Sequence, residues 1–377
     1  MENNKTDNLS LPFYENLTGL RFIGALSVFL FHSFTLGREV WGDFFHHPIF
    51  TGVFKLLSKG HHGVGLFFVL SGFLITSLLL NEANQNGQIN AFNFFMRRLL
   101  RIWPLYFLVL FFGFILFPLL PQGIETKNSL FHYIIFLSNF EEIWSGWRDS
   151  ISFLTVTWSV SIEEQFYMTW VALITLIPAI QKGKYYSVYF VLLILVSILF
   201  RALHIDDERI IYFHTLSVIS DLAIGGLLAL VVIKTNWLTH FSKLSKFKLV
   251  ITYLVGGAIL LLSPTIFKGY LISIERLYIG LFFAFIIFEQ VYCTHSFYKA
   301  DKILGFFKLG KISYGLYMYH CIVIYFTQNI MVHYGFQDSI LGFIAFLFLA
   351  GYITLIISRL SYTYIESPIL KLKKHFR

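Results

Sequence analysis

Residues 16–32 read NLTGLRFIGALSVFLFH, and the apolar run they open continues to residue 37. A bilayer core of about 30 Å takes roughly 20 apolar residues in helical form, so this stretch is long enough to cross a membrane. It nevertheless carries Arg21 and His32. An ionisable side chain within a span costs about 2.5–3.5 kcal/mol on insertion scales, and such residues mark functional sites by default. The two are 11 residues apart. That is close to three whole turns, so they share one helix face, roughly 16 Å apart along the axis. A stripe with a guanidinium at one end and a titratable imidazole at the other suits an elongated anionic substrate. The plainer alternative has Arg21 snorkelling to headgroups and His32 satisfied by a neighbouring helix.

The rest of the chain has the same character. Hydrophobic residues make up 56% of the 377 and charged residues 13%, against roughly 45–50% and about 25% in soluble chains. The 44 Phe, 21 Tyr and 7 Trp fit lipid-facing helices with aromatic belts at the interfaces. Ten segments have the required length: about 17–37, 63–80, 102–120, 160–180, 185–201, 210–233, 249–267, 277–295, 312–331 and 340–359. The fifth is the shortest, and the eighth contains Glu289. The fold expected is an all-α polytopic integral membrane protein of about ten helices, forming a single domain over residues 1–377. The longest gap, about 121–159, holds Trp144, Trp147 and Trp158 and reads as an interfacial loop with room for a short helix. Met1–Glu15 is polar, without a basic n-region or a small-residue cleavage site, so the first apolar segment is expected to stay in the mature protein.

Ten spans put both termini on one side. Alternating loops assign 19 basic residues to the side of the termini, including Arg97, Arg98, Arg101 and Lys373, and nine to the other, including Arg201 and Arg276. The positive-inside rule then predicts cytoplasmic termini. The net charge of +8 is on this reading a topology signal, and no nucleic-acid partner is expected.

Other spans carry further candidates. HHGVGLFFVLSGFLI, residues 61–75, brings Gly63, Gly65, Ser71 and Gly72, small residues that let another helix pack closely. FFMRRLLRIWPLY, residues 94–106, places Arg98 and Arg101 at i, i+3 on one face. Guanidinium forks grip phosphates in a bidentate way that lysine cannot match, although anchoring on the positive side explains the same residues. TWSVSIEEQFYM, residues 157–168, holds Glu163 and Glu164, which point about 100° apart and so take different roles. An inward carboxylate there could orient or charge-stabilise a histidine. KISYGLYMYH, residues 311–320, places His320 roughly 12 Å from the cytoplasmic edge. Asp221 is a second intramembrane acid without an obvious neighbour. The pairs His46–His47 and His61–His62 offer no coherent coordinating set, and Cys293 and Cys321 lie singly in apolar segments. No metal is expected, and both cysteines read as packing residues.

In order, LTGLRFIGALSVFLFH, GVGLFFVLSGFLI, RRLLRIWPLY, TWSVSIEEQFY, GKISYGLYMYH and YIESP resemble the acyltransferase-3 family of membrane acyltransferases, which includes bacterial enzymes that O-acetylate surface polysaccharides. The resemblance runs through nearly the whole chain. It implies ten spans in a bacterial cytoplasmic membrane, an acyl-CoA donor on the cytoplasmic side (acetyl-CoA above all) and a glycan or other hydroxylated acceptor. It also implies that Arg21, His32, Arg98, Arg101 and Glu163 lie at the functional site. The family often carries Asp where this chain has Thr18 and Gly65, so no role resting on those acids is carried over. Many members carry a C-terminal esterase-like extension that is not found here, so a second catalytic step is expected to need a partner protein.

The mechanism these residues suggest is acyl transfer. Arg21, Arg98 and Arg101 hold the phosphates of coenzyme A, and the pantetheine arm runs along the first span. His32, an imidazole with an ordinary pKa of about 6.5, removes the acceptor proton, and Glu163 fixes its tautomer. Glu164, Ser71 and His320 are possible supporting residues. Direct transfer and an acyl-enzyme both remain open. The rival classes are a transporter or flippase, gated by the same buried charges, and a membrane scaffold in which those charges are replaceable.

Overall fold

A computed structural model describes residues 14, 16–42, 48–121, 128–145, 153–176, 185–235 and 241–376, and every regular element among them is helical. The ten long helices are α1 (Asn16–Val40), α2 (His62–Asn86), α3 (Ala91–Phe111), α4 (Thr157–Leu176), α5 (Tyr186–Leu203), α6 (Thr215–Lys234), α7 (Lys246–Ile266), α8 (Ile272–Tyr292), α9 (Ser313–His333) and α10 (Ile340–Ser361). Each of the ten apolar segments is thus a helix, with shifted ends. Among the described residues, eight helices are long and apolar enough to cross a membrane. The two that fall short, α4 and α9, carry the polar residues Glu163, Glu164, Gln165, His320, Thr327 and Gln328. The chain is a multi-pass membrane protein, and such helices satisfy their own backbone hydrogen bonds, as lipid demands.

The largest shift is at α3, which begins eleven residues before the expected position, with Asn90 accepting from the Asn93 amide at 3.0 Å as its cap. Arg97, Arg98 and Arg101 are therefore within the helix and not before it. Gly87 ends α2 in the left-handed conformation (φ 72°), which glycine adopts without strain. The tight link that follows is tied back to α2 by the Asn90 amide, which donates to Glu82 at 2.9 Å.

Close packing follows the small residues. A Cβ on Gly72 would stand 1.9 Å from the Leu222 carbonyl oxygen, and one on Gly225 2.1 Å from that of Val69. Only hydrogens fit at this crossing of α2 and α6. Gly63 packs in the same way on α1, 2.7 Å from the Gly24 oxygen. The C-terminal turn returns to α3, where Arg97 donates to the Phe376 carbonyl and pairs with Glu82, both at 2.7 Å. Lys373 lines a cavity with Tyr14 and Leu17, so the two described ends of the chain lie at one end of the bundle.

The connection between α3 and α4 differs from the interfacial loop expected. Its short helices Leu130–Ile134 and Ser138–Trp144 bury Ser138, Asn139, Glu141 and Glu142 inside the protein. Side chains satisfy the irregular backbone: Gln165 donates to the Phe136 carbonyl at 2.7 Å, and Tyr106 to that of Tyr133 at 2.7 Å. Trp158 is buried against Phe68 and Phe213, whereas Trp144 is exposed. Trp147, His46–His47 and the N-terminal stretch except Tyr14 lie outside the described residues.

Candidate functional site

Two adjoining cavities occupy the end of the bundle where the described chain ends meet. The outer one, of about 920 Å³, is lined by Arg21, Arg97, Arg98, Arg101 and Lys373 together with Thr18. The inner one, of about 760 Å³, shares Arg21, Arg98 and Arg101 and runs deeper to Ser71, Glu163 and Tyr317. Arg97 is spoken for by Glu82 and the Phe376 carbonyl. Arg21, Arg98 and Arg101, in contrast, have no hydrogen bond or ion pair to any described residue. Arg98 only lies over the rings of Tyr167 (5.5 Å) and Phe94 (5.8 Å). Unpaired guanidinium groups around one cavity make a receptor for a multiply charged anion, phosphate above all.

Glu163 lies in this cavity. Its two oxygens accept from Ser71 and Tyr167 hydroxyls, each at 2.8 Å. Glu164 turns the other way, toward the Trp103 indole at 3.4 Å, and its second oxygen is buried without a partner among the described residues. The two neighbours divide their surroundings as the helical rotation requires.

The expected contact of Glu163 with His32 is absent: its oxygens are engaged by Ser71 and Tyr167. The ring partner of His32 is His320, with Nδ1 of His32 2.7 Å from Nε2 of His320. Hydrogen bonds fix the protons. Nδ1 of His320 lies 2.6 Å from the Tyr317 carbonyl, which can only accept, so Nδ1 carries the proton and a neutral His320 leaves Nε2 bare. His32 must then donate from its own Nδ1, and its Nε2 keeps a free lone pair. That is the tautomer a general base needs. Cys321 joins these rings in a group of three possible metal ligands within 4.8 Å. In this structure the two ring nitrogens, 2.7 Å apart, share a hydrogen bond.

Neither histidine is on the wall of the inner cavity. Tyr317 closes it: its hydroxyl is tied to Ser159 (2.8 Å) and the Val156 carbonyl (3.2 Å), and its ring is 5.8 Å from that of His320. One aromatic side chain thus stands between the inner cavity and the imidazole pair.

Sequence reasoning also overlooked Lys373, counted only as a topology charge, and Tyr167, which is buried and donates to Glu163. Asp221 does have a neighbour: Arg276 pairs with it at 2.6 Å. A Cβ on Gly65 would stand 3.3 Å from the same carboxylate. The acid that the resembled family often carries at position 65 is thus matched here by one reaching the same spot from α6. Gly65→Asp should crowd two carboxylates and lower thermal stability, and Asp221→Asn in the same chain should restore it. A double-mutant cycle on the solubilised protein is expected to give a coupling of about 1–3 kcal/mol; additive effects would show that the two positions do not share one site.

Fold and site together define a helical membrane protein with a strongly cationic chamber and a hydrogen-bonded imidazole pair beyond it. The family model described as an acyltransferase domain (acyltransferase-3) matches residues 14–360, and the chain belongs to that family. It is 30% identical over 380 residues to the O-acetyltransferase OatA of Staphylococcus aureus strain NCTC 8325 / PS 47, covering 95% of this chain and 57% of that protein. A Staphylococcus aureus strain COL protein, whose name assigns it provisionally to the O-acetyltransferases, is 29% identical over 383 residues, covering 96% of this chain and 58% of its own length. The chain therefore spans less than two thirds of the length of these relatives. No solved structure matches it.

Proposed function

We propose that the protein is a membrane O-acyltransferase that takes an acyl group, acetyl by analogy with its relatives, from acyl-CoA and passes it to a hydroxyl of a cell-surface glycan or related acceptor. The observation that carries this reading is the trio of unpaired guanidinium groups, Arg21, Arg98 and Arg101, around a chamber that ends one residue from the His32–His320 pair. Lys373 adds an amine at the mouth. The diphosphate and 3′-phosphate of coenzyme A match this cluster, and the pantetheine arm reaches inward past Ser71 and Glu163. Tyr317 must move aside for the thioester to meet His32.

In the transfer step Nε2 of His32 takes the proton of the acceptor hydroxyl, whose oxygen attacks the thioester carbonyl. The C–S bond then breaks, and the coenzyme A thiolate recovers the proton from the imidazolium. His320 holds Nδ1–H of His32 throughout, the part first given to Glu163. Glu163 instead offsets one of the guanidinium charges.

The reading includes ten spans, cytoplasmic termini and a bacterial cytoplasmic membrane, supported by the 19-to-9 bias of basic residues and the meeting of both described chain ends at the arginine-lined mouth. The test is proteoliposomes of known orientation given labelled acetyl-CoA on one side and a glycan acceptor on the other. Label is expected in the glycan only when acetyl-CoA faces the arginine-lined end. Movement of unmodified glycan without acyl-CoA would make the protein a transporter instead.

A further inference from the structure

A second polar cavity, of about 570 Å³, lies at the opposite end of α2, among α5, α6, α8 and the turn Glu208–Phe213. Its character differs from that of the arginine chamber. Two cations, Arg201 and Arg276, face two acids, Asp221 and Glu275, so the wall carries no net charge and does not select an anion.

The cavity nevertheless has polar atoms in want of partners. Arg201, expected as an outer-loop charge, is completely buried in α5. It is held by the Ser273 carbonyl (2.8 Å) and the hydroxyls of Ser197 (2.8 Å) and Ser220 (3.2 Å). Its Nη2 has no partner among the described residues, and neither does the buried Nε2 of half-buried His62. A buried polar atom left unpaired costs about 1–3 kcal/mol, so two on one cavity wall point to a missing ligand. Nδ1 of His61 donates to the Ser58 carbonyl at 2.6 Å, which leaves Nε2 of the neutral ring as an acceptor. Donors and acceptors are therefore interspersed without net charge, the pattern that hydroxyl groups satisfy because each both donates and accepts. The Tyr212 ring supplies an apolar face.

One aromatic side chain stands between the cavity wall and the imidazole pair. The Phe31 ring is 5.5 Å from that of His61 and 5.0 Å from that of His32. We propose that this cavity binds an uncharged, polyhydroxylated group, a carbohydrate, and that it seats the acceptor beside His32; the second half rests on the acyl-transfer reading above.

Equilibrium binding to the full chain in nanodiscs tests the site apart from turnover, with chitotetraose and maltotetraose as neutral probes and inorganic phosphate as the anionic one. At least one tetrasaccharide is expected to bind. Glu275→Gln and His62→Phe should each weaken it about tenfold, while acetyl-CoA affinity, which reports a folded arginine chamber, stays unchanged. Saccharide binding with no acetyl-CoA binding would leave the carbohydrate site standing and remove the acyl-transfer reading. The proposal is overturned if neither tetrasaccharide binds at millimolar concentration, if phosphate displaces the sugar, or if both variants bind it as the native protein does.

Discussion

His32→Ala is expected to lower kcat for acyl transfer by about 10²–10⁴-fold, the usual contribution of a positioned general base, with KM for acyl-CoA nearly unchanged. The separation follows from the geometry: His32 lies beyond Tyr317, outside the chamber lined by Arg21, Arg98 and Arg101. His320 is buried and touches His32 through a single hydrogen bond, so it acts as a positioning residue. His320→Leu removes the acceptor that keeps the proton on Nδ1 of His32. The free ring then divides between tautomers and orientations, and kcat should fall by about 10²-fold or more, as when an orienting partner is lost from a catalytic triad. His320→Gln keeps an acceptor oxygen on a side chain of similar reach and should recover much of that loss. A packing role would instead predict similar losses for Leu and Gln, visible as lowered melting temperature and not as a change in kcat. Native rates in a folded His32→Ala protein would end the assignment of the base.

The spans were legible because burial in lipid leaves a crude and continuous signal: some twenty apolar residues at a time. All ten segments are helices. Their ends were less legible, because a charge reads as a boundary when it can equally face an internal cavity. The α3 arginines illustrate this, and so does Arg201 in α5, whose partners Ser273 and Ser217 come from other helices. The shared face of Arg21 and His32 followed from helical rotation alone. The partner of His32 did not. Counting residues from a presumed membrane edge set His320 lower than His32, yet a ring nitrogen of each lies within 2.7 Å of the other. Gly310, just before α9, packs so closely on α1 that a Cβ would stand 1.9 Å from the Thr18 carbonyl oxygen. Contacts of this kind fix how α9 lies on α1, and no periodicity within either helix encodes which of their side chains meet. Asp221 and Gly65 teach the same lesson, since an acid missing from one helix is supplied by another.

The three neighbouring arginines of α3 should separate sharply in kinetics. Arg98→Ala and Arg101→Ala are each expected to raise KM for acyl-CoA about 30-fold, the equivalent of about 2 kcal/mol for a partly desolvated contact to phosphate. Lysine at either position keeps the charge but not the planar fork and should lie in between. Raising ionic strength should weaken the native protein's grip on acyl-CoA and affect the alanine variants less, because fewer screened contacts remain in them. Arg97→Ala should behave differently. That side chain is already engaged by Glu82 and the Phe376 carbonyl, so its loss strands a buried carboxylate and frees the C-terminal turn. The expected result is destabilisation by about 1–3 kcal/mol, read as a lower melting temperature, with KM changing far less. Positive charge as such cannot produce this division, because all three arginines count equally toward topology. It arises only if Arg98 and Arg101 are unpaired in the resting protein because their partner is the substrate. An Arg97→Ala protein with KM raised as far as in Arg98→Ala would remove that distinction, and with it the donor site.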